Sequence, residues 1–132
     1  MLVSADASAL LALIAHDGKK KDMAAFVERH RDRLVGVPLL ATNTTGGVIT
    51  HMTGLPVRRV LSGPMGGDLQ IGALVAEGAV RGVIFLRDPL QPHPHEPDIS
   101  ALLKVCDTHN VPLATNLATA EMLLDNLCPL PS

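Results

Sequence analysis

ALLALIA (residues 9–15) is an unbroken apolar run that stops at His16-Asp17. A strand with one face in water alternates polar and apolar residues, whereas a strand covered on both faces does not. The run is also too short to cross a membrane. It therefore predicts a buried strand of a parallel sheet, and the rest of the chain repeats the theme. VPLLAT (37–42), VRRVLS (57–62), GVIFLR (82–87) and VPLATN (111–116) read as four more strands. The third, with its arginines, belongs at a sheet edge. Helical spacing runs between them. In KKKDMAAFVERHRDRLV (19–35), Met23, Phe26, Val27 and Leu34 form one stripe. TGGVITHMTG (45–54) is a short helix stopped by Gly54, and DLQIGALVAEG (68–78) one capped by Gly78. EPDISALLKVCDTHN (96–110) puts Ile99, Leu102, Leu103 and Cys106 on one face, and LATAEMLLDNL (117–127) is the last helix. Five strand–helix alternations predict an α/β fold: one doubly wound domain over residues 1–132, a five-stranded parallel sheet with helices on both faces.

Composition narrows the function. Hydrophobic residues make up 47% of the 132 positions and charged ones 18%, enough to bury a core. A net charge of -2 of mixed sign does not draw in a polyanion. There is no Trp or Tyr, and Phe26 and Phe85 are the only phenylalanines, so the aromatic platforms of single-stranded nucleic-acid binders are missing. Cys106 and Cys128 form no CxxC pair and read as small apolar residues in a reducing cytosol. MLVSADAS (1–8) lacks the positive charge of a signal peptide. The expectation is a cytoplasmic protein with neither a membrane nor a nucleic-acid partner.

In sheets of this type ligands bind beyond the carboxyl ends of the strands. Most of the unusual polar residues fall there: His16-Asp17-Gly18-Lys19-Lys20 after the first strand, Thr42-Asn43-Thr44-Thr45-Gly46-Gly47 after the second, Ser62 to Asp68 after the third. After the fourth comes Asp88 with a proline-rich loop carrying His93, His95, Glu96 and Asp98. TNTTGG offers hydroxyls and a helix start, where backbone N–H groups and the helix dipole favour an anion; the alternative is that Thr44 or Thr45 only caps the helix. With Ser62-Gly63 and a lysine at the first strand end, the set suits a phosphate monoester. Neither GxxxxGK[ST] nor GxGxxG is present.

In SGPMGGD (62–68), Asp68 is either a helix N-cap or a general base. A cap does not need Gly63, Gly66 and Gly67 before it. His95 sits in a loop stiffened by Pro89, Pro92, Pro94 and Pro97, and could polarise a carbonyl or shuttle a proton. H-x-H-E without a further ligand at a recognised spacing is weak as a metal site. Asp98 either orients His95 or charges the first turn of its helix. His30, His51, His109, Lys19 and Lys21 read as solvated.

Five segments carry a resemblance: IAHDGKKK (14–21), LLATNTTGG (39–47), LSGPMGGDLQIGALVAEG (61–78), DPLQPHPHEPD (88–98) and VPLATNLATAE (111–121). Over essentially its whole length the chain resembles the methylglyoxal synthases. The resemblance implies a flavodoxin-like domain, a homohexamer, and elimination of phosphate from dihydroxyacetone phosphate through an enediolate, with no metal or redox cofactor. It implies Asp68 as catalytic base, His95 as electrophilic partner, and Asp17 and Asp98 in support. His16, Lys20, Thr42, Asn43, Thr44, Thr45, Ser62 and Gly63 would hold the triose phosphate, and inorganic phosphate would be product and possible inhibitor. Two departures stand out. Asn43 replaces the family's usual glycine, where a left-handed turn would suit Asn but its side chain would crowd the phosphate contacts. The tail, LCPLPS, is shorter than in longer members. The competing readings are a non-catalytic phosphate- or nucleotide-binding regulatory domain, and a phospho-accepting domain using Asp88.

Overall fold

The computed structural model describes residues 9–129; the expectations for MLVSADAS and for the last three residues fall outside that range. Five strands form one all-parallel sheet: β1 (Leu10–Ala15), β2 (Leu39–Thr42), β3 (Arg58–Val60), β4 (Val80–Leu86) and β5 (Leu113–Ala114). Their order is β3-β2-β1-β4-β5. β1 pairs with β2 on one side and with β4 on the other, so the winding reverses beside β1. Every residue of β2 and β4 is buried, Arg81 included, as strands covered on both faces require. β3 is an edge strand, as its arginines predict.

Strand pleating sends alternate side chains to opposite faces. Leu11, Leu13 and Ala15 pack with α1 (Lys20–Arg29), α3 (Asn43–Thr53) and α6 (Leu117–Leu127). Ala12 and Ile14 pack with α4 (Gly67–Ala76) and α5 (Glu96–Thr108). The result is a doubly wound, flavodoxin-like sandwich in which both core layers meet at β1. Buried Arg81 on β4 donates to the carbonyls of Ala9 and Leu127, at 2.8 and 3.2 Å. No helix among the described residues is long and apolar enough to cross a membrane.

Three expectations need correction. The helix over 19–35 is interrupted: a 3₁₀ turn (Asp17–Lys19) precedes α1, and α2 (Arg31–Leu34) follows after a break at His30. His30 is not solvated. It tilts onto Phe26 with ring centroids 4.9 Å apart, and its Nε2 lies 2.6 Å from the Glu121 carboxylate of α6. The DLQIG helix begins one residue early and ends at Ala76, with Gly78 in a left-handed conformation (φ 80°) just beyond its cap.

Gly67 begins α4 where the chain doubles back on itself. A Cβ there would lie 1.8 Å from the Leu61 carbonyl oxygen, a backbone atom that cannot rotate away. Gly67→Ala is therefore expected to destabilise the fold by about 2–3 kcal/mol or more, read by urea unfolding. Gly36→Ala, whose Cβ would meet nothing within 4 Å, should change stability by no more than about 0.5 kcal/mol.

Candidate active site

A cavity of about 540 Å³ opens beyond the carboxyl ends of β1, β2, β3 and β4. Each strand end delivers one part of it. β1 ends in His16, Asp17 and, one turn into the helix region, Lys20. β2 contributes Thr42 and Thr44, the loop after β3 contributes Ser62, Gly63 and Asp68, and the loop after β4 contributes Asp88, His93 and His95.

Asp68 is the unusual residue. It is 0% exposed, and neither carboxylate oxygen has a hydrogen-bond partner. It does not cap α4: the N-cap is Gly66, with no side-chain cap bond, and Asp68 lies within the first turn. Nine in ten or more buried polar groups are bonded, so a bare carboxylate is an exception that demands an explanation. Burial pushes its pKa up. The nearby His95 offsets part of that rise, and Asp98 adds to it. His95 Nε2 stands 3.6 Å from Asp68 Oδ2, beyond hydrogen-bond distance, and His95 Nδ1 is buried and unpartnered. Between them they leave a carboxylate and an imidazole facing one cavity with bonding capacity unused. Asp98 does not line the cavity; its N–H bonds the His95 carbonyl at 3.0 Å, so it fixes the start of α5 and acts on Asp68 through space.

The glycines do three different jobs. A Cβ on Gly63 would sit 2.9 Å from His95 Nε2 and 3.3 Å from Asp68 Oδ1, so its bareness admits those two groups. Gly66 takes a left-handed conformation, φ 103°. Gly67 packs on the Leu61 and Ser62 carbonyls.

His16 is buried and anchored. Its Nδ1 accepts the Asp88 backbone N–H at 2.8 Å, so its proton sits on Nε2, which has no partner. Burial, with His93, His95 and Arg87 nearby, lowers its pKa to about 4, while Asp88 opposes the shift. His16 is thus a neutral N–H donor on the cavity wall. Asp88 also bonds the Leu90 N–H through Oδ1, the habit of a turn residue.

The α3 N-terminus offers groups that suit an anion. Its N-cap is Thr42, with no side-chain cap bond, so the N–H groups of the first turn have no partner within the helix. Thr44 lines the cavity. Thr45 does not; its hydroxyl bonds the Ala15 carbonyl at 3.3 Å and ties the helix start to β1. Lys20 forms an ion pair with Asp17, and that bond holds the Asp17 carboxyl below its ordinary value. Lys21, His51 and Arg59 rim an adjoining groove that shares Asp17, Lys20 and Thr44; with Lys20 paired to Asp17, Lys21 and Arg59 leave this approach net cationic.

Asn43 departs from expectation. Its φ is not positive, so no left-handed turn exists here. Its side chain is turned out of the cavity, where Oδ1 accepts from Arg59 Nε at 3.0 Å. The Arg59 stem lies over Gly46, whose Cβ would come within 2.6 Å of Cγ. Residues 43 and 59 are far apart in sequence, so spacing gave no sign of this pair. His93, placed at the ligand edge by the sequence but given no role there, stacks on His16. Among the described residues no three His, Cys, Asp or Glu side chains are grouped as metal ligands.

The MGS-like domain family matches residues 22–115. The chain is 66% identical to the methylglyoxal synthase of Cupriavidus metallidurans over 117 residues, which are 89% of this chain and 84% of that protein. It is 65% identical to the methylglyoxal synthase of Thermus thermophilus over 114 residues, 86% of this chain and 90% of that one. The crystal structure of methylglyoxal synthase from Elizabethkingia anophelis has the same fold, with a TM-score of 0.86 at 39% identity over 94% of this chain and 82% of that one. Likeness of that extent and identity means that the chain belongs to the methylglyoxal synthase family.

Proposed function

We propose that this cavity carries out the phosphate elimination that converts dihydroxyacetone phosphate to methylglyoxal, a carbon–oxygen lyase reaction. The observation that carries the reading is Asp68: wholly buried, without a partner, and facing His95 across the cavity.

The chemistry asks for such a carboxylate. The hydroxymethyl carbon of the substrate is acidified by the neighbouring ketone. Asp68 takes a proton from it, and the electron pair moves onto the ketone oxygen as an enediolate. A general base works best with a pKa raised towards working pH, and burial supplies the rise. His95 donates a hydrogen bond to the developing oxyanion, and the neutral His16 Nε2–H adds a second donor. A carboxylate working with a neutral imidazole is the pairing known from triosephosphate isomerase. The remaining hydroxyl proton passes to the former ketone oxygen. A carbonyl then forms at the carbon that lost its proton, the double bond shifts to the next carbon pair, and the C–O bond to phosphate breaks with its electron pair leaving on phosphate. The released enol takes a proton at its methylene carbon to become methylglyoxal. Thr42, Thr44, Ser62, Gly63, Lys20 and the first-turn amides of α3, those of Asn43 and Thr45 included, hold the phosphate so that this bond stands perpendicular to the enediolate plane. Asp17 holds Lys20 in place. Inorganic phosphate fits the same cradle as product and inhibitor.

The regulatory-domain alternative does not account for a carboxylate buried at the cost of leaving it bare. We also place the enzyme in the cytoplasm, where its two buried, free thiols stay reduced. We expect a homohexamer; exposed Leu61, Met65 and Leu69 on the stretch between β3 and α4 supply an apolar surface for self-association.

Asp68→Asn should lower kcat on the order of 10³-fold, followed as parallel release of methylglyoxal and phosphate. A folded Asp68→Asn protein with full activity would remove Asp68 from this role. Because the folded-state pKa of Asp68 is raised, its ionisation weakens the fold as pH rises through that pKa. The Asn variant should accordingly melt at a higher temperature than the native protein at neutral pH, with the gap closing once pH falls below about 3.9. The acid limb of the native kcat/KM profile should lie above that same value of about 3.9, and Asp98→Asn should move it down, since Asp98 helps raise the pKa. Thr44→Ala should raise KM about tenfold or more, the loss of a hydrogen bond to a charged group. Asn43→Gly, which alters a side chain outside the cavity, should leave KM within about threefold.

A further inference from the structure

We propose that His93 is a positioning residue for the elimination: stacked on His16 and bonded to the backbone of the same residue that anchors it, His93 fixes the ring that presents Nε2–H to the substrate. The proposal rests on the lyase reading of the cavity and adds a residue to it.

Three contacts close a small frame. The His93 and His16 rings lie 3.6 Å apart between centroids and 23° from parallel. The Asp88 N–H donates to His16 Nδ1 at 2.8 Å. The Asp88 carbonyl lies 3.2 Å from His93 Nε2, and since a carbonyl only accepts, His93 carries its proton on that nitrogen. One backbone residue thus sets the tautomer of both rings. Pro92 and Pro94 bracket His93 and restrict the backbone that delivers it. The Phe85 ring also meets His16, nearly perpendicular to it at 75°, with centroids 5.1 Å apart. Packed by both Phe85 and His93, the His16 ring has little freedom to turn.

The frame also keeps His16 neutral. The groups around it are His93 and Asp88 from the loop, Arg87 before it, His95 at the start of α5, and Asp17 next in the chain. His93 excludes water from one face of the ring and, when protonated, opposes a second positive charge there. Protonated His16 would also turn an Nδ1–H against the Asp88 N–H that now donates to it. Removing His93 therefore has a defined sign: His16 protonates more readily and gains access to the other tautomer.

The test pairs NMR of the imidazole nitrogens with kinetics on dihydroxyacetone phosphate, using the whole protein and a His16→Asn sample to assign the resonance. In the native protein His16 should remain neutral with its proton on Nε2 from about pH 5 to 8. In His93→Ala, His16 should titrate within that range, show the Nδ1–H tautomer, and lose about tenfold in kcat/KM, the scale seen when a group that orients an imidazole is removed. His93→Phe keeps a stacked ring without the bond to Asp88, so it should fall between the two; it decides the matter should the Ala variant fail to fold. An unchanged His16 tautomer and titration, with kcat/KM within about twofold, overturns the proposal. Native protein without turnover would end the lyase reading instead, and the NMR result would still judge His93.

Discussion

A carboxylate buried with no hydrogen bond is the constraint on which the rest of this structure depends. Asp68 costs the fold stability whenever it is ionised. A core acid could be satisfied by a backbone amide or an arginine, but either would lower its pKa and occupy its lone pairs. The surroundings withhold both. Gly63 and Gly67 bring the chain close without adding a side chain, and the His95 imidazole stands beyond hydrogen-bond distance. The arrangement keeps the acid weak, dry and open on the cavity side, which is what proton abstraction from carbon asks of it.

The doubly wound sheet makes this possible by dividing the labour. The buried strands β1, β2 and β4 supply two core layers, so loops at their carboxyl ends are free to carry bare glycines and unpaired polar atoms. Each loop brings a separate chemistry to one cavity: a neutral imidazole after β1, amides and hydroxyls after β2, the carboxylate after β3, and a proline-stiffened pair of histidines after β4. The α3 end of the cavity lies beside a cationic groove and the Asp68 end is buried, so the cavity joins two electrostatic environments.

Much of this was legible in the sequence, and the rest was not for physical reasons. Strands covered on both faces announce themselves as apolar runs, and the edge position of β3 followed from Arg58 and Arg59. β5 proved far shorter than VPLATN, for Pro112 brings no N–H to a ladder at the sheet's other edge. Strand order, the break at His30 and the Asn43–Arg59 bond all rest on contacts distant in sequence, to which local spacing is blind. Asp68 was ambiguous between cap and base because both readings want an acid at a helix start; only its isolation from the Gly66 cap separates them. At Asn43 the expected left-handed turn is absent, and the side chain expected to crowd the phosphate contacts is drawn off to Arg59.

The most direct measurement is a pH titration of the Asp68 carboxyl carbon by NMR, on protein labelled at aspartate and assigned by comparison with the Asn variant. It reads the buried carboxylate itself, without substrate or turnover. The account predicts a midpoint clearly above the ordinary aspartate value of about 3.9. A midpoint at or below that value would mean that the carboxylate is solvated or bonded in solution, and would contradict the claim that its isolation is what equips this site.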